Sequence, residues 1–401
     1  MIPYTRGVAA IRSPEFQDDP YPLYAELQTR GNVHQDDITS AWHVVGYHAA
    51  HAALRDPRLT TARSGYLLSK SQRVAYPDLS RMLPDLMIFA EPSSHKRLRG
   101  LVSKAFTPRV VEKLRPRVQE IVDTLLAAMA ATPHQDVIAG LAIPLPTMVI
   151  ADLLGVPQSD RERLKAWSDD FAAFIGGPTD DAGNQRADAA IRELHEYFLA
   201  AIARLREAPD DNLICQFISV DEHGQSLTPN EILATCIILL IGGHETTTNL
   251  IGNGVLALLR HRDQMQRLRG TPHLIGPAVE ELLRYDSPVQ MTTRLATEAL
   301  ELDGTRIQQG ALVKLWLGAA NRDPAKFSQP DRLDLGRAKN HHLAFGFGPH
   351  FCIGAALARL EAQVALATLV NRFPDLALTA DPLHYHGTQV FRALKELPVT
   401  M

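Results

Sequence analysis

Phe345-Gly346-Phe347-Gly348-Pro349-His350-Phe351-Cys352-Ile353-Gly354 stands directly before a helical stretch with apolar residues at Leu357, Leu360 and Val364. Three glycines and a proline ahead of a helix start make a tight, preformed loop. A cysteine placed there feels the helix N-terminal dipole and nearby backbone N–H groups, which favour thiolate over thiol. The small residues Gly346, Gly348 and Gly354 would let a flat macrocycle approach the backbone closely. Other readings of the cysteine stay open at this point. A lone cysteine is commonly a buried structural residue, and His350 as the base of a cysteine nucleophile would need two loop residues to align. A zinc site would need further cysteine or histidine ligands at short spacing, and none is present. No strand-loop-helix with G-x-G-x-x-G occurs here, so a dinucleotide fingerprint is absent.

Upstream lies the longest helical pattern in the chain. Thr228-Pro229-Asn230-Glu231 reads as a capping box with proline at the first helical position. Helical character then continues without proline to about Leu259, roughly 29 residues or ~43 Å. Its first ten or so residues are apolar all round, as in a helix buried on every side. Into this rod the sequence sets Gly242-Gly243-His244-Glu245-Thr246-Thr247-Thr248. Two interior glycines cost about 1 kcal/mol each, and a buried carboxylate must find a partner or water. Local rules broken in the middle of the best helix point to function; the bland alternative is a helix end followed by a second capped helix.

The rest of the chain bounds the answer. It has 401 residues, 45% of them hydrophobic, and a formal net charge of −4, so no global field favours nucleic acid or an anionic membrane. No signal peptide is visible, and the apolar run Ile232 to Ile241 is far shorter than the ~20 residues of a membrane span. Three cysteines (Cys215, Cys236 and Cys352) exclude a disulfide framework. The protein is therefore expected to be soluble, cytoplasmic and monomeric. Strand-like pieces are short: Ala41 to Val45 and Ala311 to Leu317, then Leu376 to Leu378 and Val390 to Leu394. No linker divides the chain. One mainly α unit, residues 1–401, is expected, with small β-sheets at a β-richer N-terminal edge and a C-terminal hairpin, and a helical core over about 95–375.

The cysteine loop matches F-G-x-G-x-H-x-C-x-G at every fixed position, and in this the chain resembles the bacterial cytochromes P-450, haem-thiolate monooxygenases. Further stretches resemble that family in its order: His95-Lys96-Arg97-Leu98-Arg99, Pro144-Leu145-Pro146, Leu153-Leu154-Gly155-Val156-Pro157, Gly242 to Thr246, Glu281-Leu282-Leu283-Arg284, Ala320-Asn321-Arg322-Asp323 and Pro330-Asp331-Arg332. The mild departure is Glu91-Pro92-Ser93-Ser94, where bacterial members usually show Asp-Pro-Pro-Glu. The resemblance implies one large fold whose long central helix crosses over haem b, with Cys352 as the axial ligand to iron. It implies that His95, Arg99, Arg294 and His350 donate to the haem propionates, with Phe345, Gly346 and Gly354 against the macrocycle and Gly242 and Gly243 leaving room above it. Glu245 and Thr246 would be the catalytic acid–alcohol pair, Thr246 holding oxygen and water and Glu245 relaying protons. Glu281, Arg284 and Arg332 would form a buried structural network. His244 occupies a variable position, and a polar-network role is as expected for it as a catalytic one.

The same resemblance implies a hydrophobic small-molecule substrate and O2. The pocket would draw on the segment Leu67 to Ile88, expected to move as a lid, and on the wall residues Leu86, Met87, Phe174, Leu239, Leu240, Val289, Met291, Val390 and Phe391. Eight basic residues fall between Lys96 and Arg117, with Glu112 the one acid among them. A charge run is usually a solvated face, but Arg97, Lys104, Arg109 and Lys113 would suit the docking of an acidic ferredoxin or flavodoxin. Electrons are expected from such separate partners. A peroxide-driven haem-thiolate enzyme is the nearest rival, though such members usually lack the acid–alcohol pair. A non-enzymatic haem or gas-binding protein would need neither that pair nor a deep pocket.

Overall fold

The computed structural model describes residues 7–401 apart from Ala105, Pro178, His223, Gly224 and Gly387; Met1 to Arg6, part of the stretch read for a leader, lie outside the described residues. The helices that position the site are α1 (Pro92–Ser103), α2 (Pro144–Leu154), α3 (Arg161–Gly176), α4 (Asp181–Glu207), α5 (Pro229–Arg260), α6 (Ile275–Tyr285) and α7 (Ala355–Arg372). Helix α5 is the axle. It opens on the expected capping box, in which Thr228 Oγ1 accepts from Glu231 N and Glu231 Oε2 accepts from Thr228 N. It then runs 32 residues, about 48 Å, without a break through Gly242–Thr248. Helices α2, α3, α4, α6 and α7 all pack on it, so nearly its whole apolar circumference is buried.

The sheets are small and peripheral. Strands β1 (Val33–Gln35), β2 (Trp42–Val44), β3 (Leu59–Thr60), β5 (Met291–Ala296) and β6 (Leu312–Trp316) form one sheet in the order β1-β2-β6-β5-β3. Pairing is antiparallel except for β2 with β6, and Val313 lies opposite Arg294. A second sheet joins β4 (Gln135–Asp136), β7 (Ala377–Leu378) and β8 (Pro398–Thr400), in the order β7-β8-β4. Val390 to Leu394 is not the expected strand. It makes two isolated bridges, Val289 with Phe391 and Tyr385 with Leu394. The C-terminal strand is instead β8, and it pairs across the fold with β4 and β7 rather than closing a local hairpin. Among the described residues no helix is long and apolar enough to cross a membrane.

The segment Leu67 to Ile88 folds into short helical pieces, Lys70–Ala75, Pro77–Met82, Leu83–Asp85 and Met87–Phe89. It is fastened to α4, where Asp188 Oδ1 accepts from Leu79 N at 2.8 Å and Asp181 accepts from the Tyr76 hydroxyl.

Candidate active site

The loop before α7 is built by its glycines. Gly346 and Gly348 have φ of +69° and +72°, a region open to glycine and strained for other residues. Gly348 has a second reason: a Cβ there would lie 2.9 Å from the Leu54 carbonyl oxygen. The turn is closed by Cys352 N donating to Phe345 O at 2.9 Å and Phe351 N donating to Gly348 O at 3.1 Å. Cys352 retains accessible surface, yet protein surrounds its sulfur closely enough that burial pushes the thiol up. The Gly354 N–H and the guanidiniums of Arg99 and Arg359 pull it back only in part. A bound metal ion would add its own charge to that balance and favour the thiolate. Behind the loop, the Arg359 guanidinium lies 4.5 Å from the centre of the Phe345 ring and ion-pairs with Glu280 of α6 at 2.7 Å. Burial would raise the Glu280 carboxyl, but Arg359 and His342 hold it down at about 2.

Basic side chains converge on the other side. His95 of α1 is 4% exposed, and its ring centre lies 3.8 Å from that of His350. Arg99, four residues on, is half-buried on the same face. Arg294 of β5 is 4% exposed, with Nη1 on Thr292 Oγ1 and Thr293 O, both at 3.0 Å. Burial pushes Arg294 down to about 10. Burial and then His95, Arg294, Arg99 and Arg63 push His350 down to about 3. Arg63 was not anticipated. Desolvation and Arg294 bring it to about 9, and it lies 5.0 Å over the Phe89 ring; nothing in its local sequence, a single arginine after a two-residue strand, singles it out. No acid is ion-paired to any of these five groups among the described residues. Buried cations demand anions, so this donor set fits the two carboxylates of the haem that the resemblance implies, with Cys352 positioned to supply sulfur.

On α5, Gly242 faces open space, where an added Cβ would meet nothing within 4 Å. Gly243 does not share that role: a Cβ there would meet Ile150 of α2 at 3.1 Å, so this glycine serves helix packing. Thr246 Oγ1 donates to Gly242 O at 2.8 Å, which leaves its lone pairs free to accept. Glu245 Oε1 accepts from Asn249 Nδ2 at 3.2 Å, and both residues of the acid–alcohol pair are half-buried rather than sealed off.

Of the expected pocket wall, Leu86, Met87, Phe174, Leu239 and Leu240 are buried in the main core, and Phe174 stacks on Phe171. Val289, Val390 and Phe391 come together where Gln290 N donates to Val390 O at 2.8 Å and Val390 N reaches Gly176 O of α3 at 3.3 Å. Met291 belongs to a different cluster, which Val390 also packs against. Strand alternation puts Thr292 and Arg294 on one face of β5 and Met291 on the other, where it packs with Phe16, Tyr24 and Trp316.

The charge network of α6 also differs in one member. Glu281 and Arg284 are both 0% exposed and bidentate, at 2.7 and 2.8 Å. The second arginine is Arg337, whose Nε lies 3.0 Å from both Glu281 oxygens, while Asn340 Nδ2 and Asp334 N also donate to that carboxylate at 3.0 Å. The Arg332 side chain turns outward to Gln329, and only its backbone carbonyl takes part, accepting from Arg284 and Arg337. On the basic run, Arg97 is drawn from the expected docking face into an ion pair with Glu231 of the α5 cap. Arg115 pairs with Glu112, and Arg117 with Glu120 and Asp152; Lys104, Arg109 and Lys113 are exposed.

Comparison with known proteins agrees with this arrangement. The Cytochrome P450 family pattern matches residues 64–270 and 273–391. The chain is 41% identical to the biotin biosynthesis cytochrome P450 of Bacillus subtilis (strain 168), over 97% of this chain and 98% of the relative. It is 43% identical to the cytochrome P450 monooxygenase PikC of Streptomyces venezuelae, over 96% of this chain and 92% of the relative. Among solved structures, P450BioI in complex with hexadec-9Z-enoic acid ligated acyl carrier protein superposes with a TM-score of 0.91 at 41% identity, covering 97% of this chain and all of that one. With a cysteine loop, a central helix and a bidentate Glu281–Arg284 pair all in their places, this chain belongs to the cytochrome P450 family and is a P450 monooxygenase.

Proposed function

We propose that the chain, acting as one unit over residues 1–401, inserts one oxygen atom of O2 into a hydrophobic small molecule by hydroxylation or epoxidation, using haem b held by Cys352. The observation that carries this is the convergence of Cys352 with His95, Arg99, Arg294, His350 and Arg63, a cluster of hydrogen-bond donors ion-paired to no acid among the described residues. When bound through sulfur, the haem supplies oxygen activation, because electron density from the thiolate favours O–O cleavage. The residues of α5 do the rest. Thr246 Oγ1, its proton committed to Gly242 O, accepts a hydrogen bond from a donor above the haem and so orients that donor. Glu245, anchored by Asn249, carries protons inward from solvent. Gly242 keeps the space between them open.

Thr246→Ala is expected to retain haem and its sulfur-ligated carbonyl spectrum while product formation per electron falls about tenfold or more and hydrogen peroxide takes up the difference. Quantifying product and peroxide per NADPH checks this; intact coupling would remove Thr246 from the mechanism. NADPH with a ferredoxin and its reductase should support turnover, whereas peroxide alone should not.

The substrate wall, with Leu86, Met87, Phe174, Leu239, Leu240, Val289, Val390 and Phe391, is apolar. An acyl chain is the first class to test, given the ligand of the similar solved complex, by the spectral shift that follows displacement of water from the ferric iron. Electrons enter from a separate acidic ferredoxin or flavodoxin at the face carrying Lys104, Arg109 and Lys113. The double substitution Arg109→Glu with Lys113→Glu is expected to lower ferredoxin-supported turnover about tenfold at low salt and leave the substrate-induced spectral shift in place. Turnover unchanged in a ferredoxin titration would move the docking face elsewhere.

A further inference from the structure

His244 precedes Glu245 on α5 and is 3% exposed. Its Nδ1 lies 2.9 Å from the Leu240 carbonyl oxygen and 3.3 Å from Ser168 Oγ; its Nε2 lies 3.1 Å from Asp169 Oδ1 on α3. A carbonyl and a carboxylate only accept, and a neutral imidazole has a single N–H. The Ser168 hydroxyl can donate to Nδ1 or accept from it, whereas Asp169 needs a proton on Nε2, so the ring donates from Nε2 to Asp169. Asp169 faces outward, with 44% of its side chain exposed, and also ion-pairs with Lys165. Burial draws its carboxyl upward, but the hydrogen bonds from His244 and Lys165 bring it below the usual range. An oxygen or nitrogen from each of Asp169, His244 and Glu245 lies within 4.8 Å of the others, a span that one bridging water covers. The neighbouring turn of α5 meets α2 through Gly243 against the apolar Ile150. Among the described residues no other charged side chain pairs with His244.

We infer that His244 and Asp169 are the proton supply of Glu245. The proton in reserve sits on His244 Nε2, Asp169 orients the ring, and both act through Glu245 as positioning residues. When the Glu245 carboxyl has given its proton inward, the Nε2–H bond of the doubly protonated His244 ring breaks and an O–H bond forms on Glu245 through one bridging water. The ring is left neutral, and Asp169, reached from solvent, returns a proton to Nε2. No electron moves in this step. It rests on the proton role proposed for Glu245, and it accounts for a buried histidine that would otherwise only fasten α3 to α5.

The test uses the full-length haem-loaded protein with NADPH, ferredoxin and reductase, with hexadec-9Z-enoic acid as the binding probe. His244→Leu and Asp169→Asn are each expected to slow oxygen-dependent NADPH oxidation about tenfold, with a larger solvent isotope effect in D2O and a larger fraction of peroxide. Asp169→Glu should recover most of the rate, and the spectral dissociation constant of the probe should stay within about twofold. His244→Gln, which keeps a hydrogen bond without a titrating ring, serves if leucine prevents folding. An unchanged isotope effect and peroxide fraction, or losses that follow probe binding and are not recovered by Asp169→Glu, would reduce the pair to a helix fastener and overturn the relay. Wild-type protein lacking a sulfur-ligated carbonyl spectrum would sink the function itself, and the relay with it.

Discussion

Cys352→His protein is expected to fold and retain some haem, yet lose monooxygenation to background. Folding should survive because the loop is held by main-chain bonds, Cys352 N to Phe345 O and Phe351 N to Gly348 O, and by left-handed glycines that the substitution leaves alone. Retention of haem follows from the cluster of basic donors, whose members on α1, on β5, just after β3 and in the loop do not depend on the sulfur. Activity should vanish because imidazole lacks the electron donation that a thiolate directs into O–O cleavage. The check is product formation alongside pyridine haemochrome quantification. Product at more than a few percent of wild type, with haem fully bound, would show that sulfur is not the working ligand.

Glu281→Ala is expected to cost about 3–5 kcal/mol, the usual loss when one partner of a buried ion pair is removed. Arg284 would be left 0% exposed without its carboxylate, and Arg337, Asn340 and Asp334 N would lose the acceptor that gathers the loop ahead of the cysteine. Haem incorporation should fall with it, since that loop leads into Leu343 and Phe345. The two arginines separate cleanly. Arg337→Ala should destabilise clearly, while Arg332→Ala should stay within about 0.5 kcal/mol, because Arg332 contributes only a carbonyl that alanine also has. Equilibrium denaturation of the three variants decides this; an Arg332 effect as large as that of Arg337 would refute the assignment.

That contrast shows what kind of information the chain carried openly. The α5 cap, its unbroken length, the glycine-built cysteine loop and the Glu281–Arg284 pair all depend on residues close together in the chain, where spacing and propensity speak directly. The second arginine was misplaced by five residues because its partner is chosen by how an irregular segment folds back on α6, and no periodicity records that path. Met291 is expected in the pocket wall beside Val289 on resemblance alone, but the two-residue period of β5 sets it on the face opposite Arg294, against Phe16, Tyr24 and Trp316. Gly243 looked like a twin of Gly242 until Ile150 was found against it. Val390 to Leu394 has a strand's composition, yet it is held by single main-chain bonds to Gly176, Pro288, Gln290 and His386 rather than by one continuous ladder. The His244–Asp169 contact joins residues 75 apart on two helices, and Arg63 enters the cation cluster from a strand end. Both are products of packing.

The central claim is that the sulfur of Cys352 binds the iron of a haem. The direct measurement is the absorption spectrum of purified, reduced wild-type protein under carbon monoxide, after expression with ample haem precursor. The band should fall at the long-wavelength position that thiolate ligation alone produces. A band at the position of histidine-ligated haem in freshly prepared, folded protein, or colourless protein, would contradict the account.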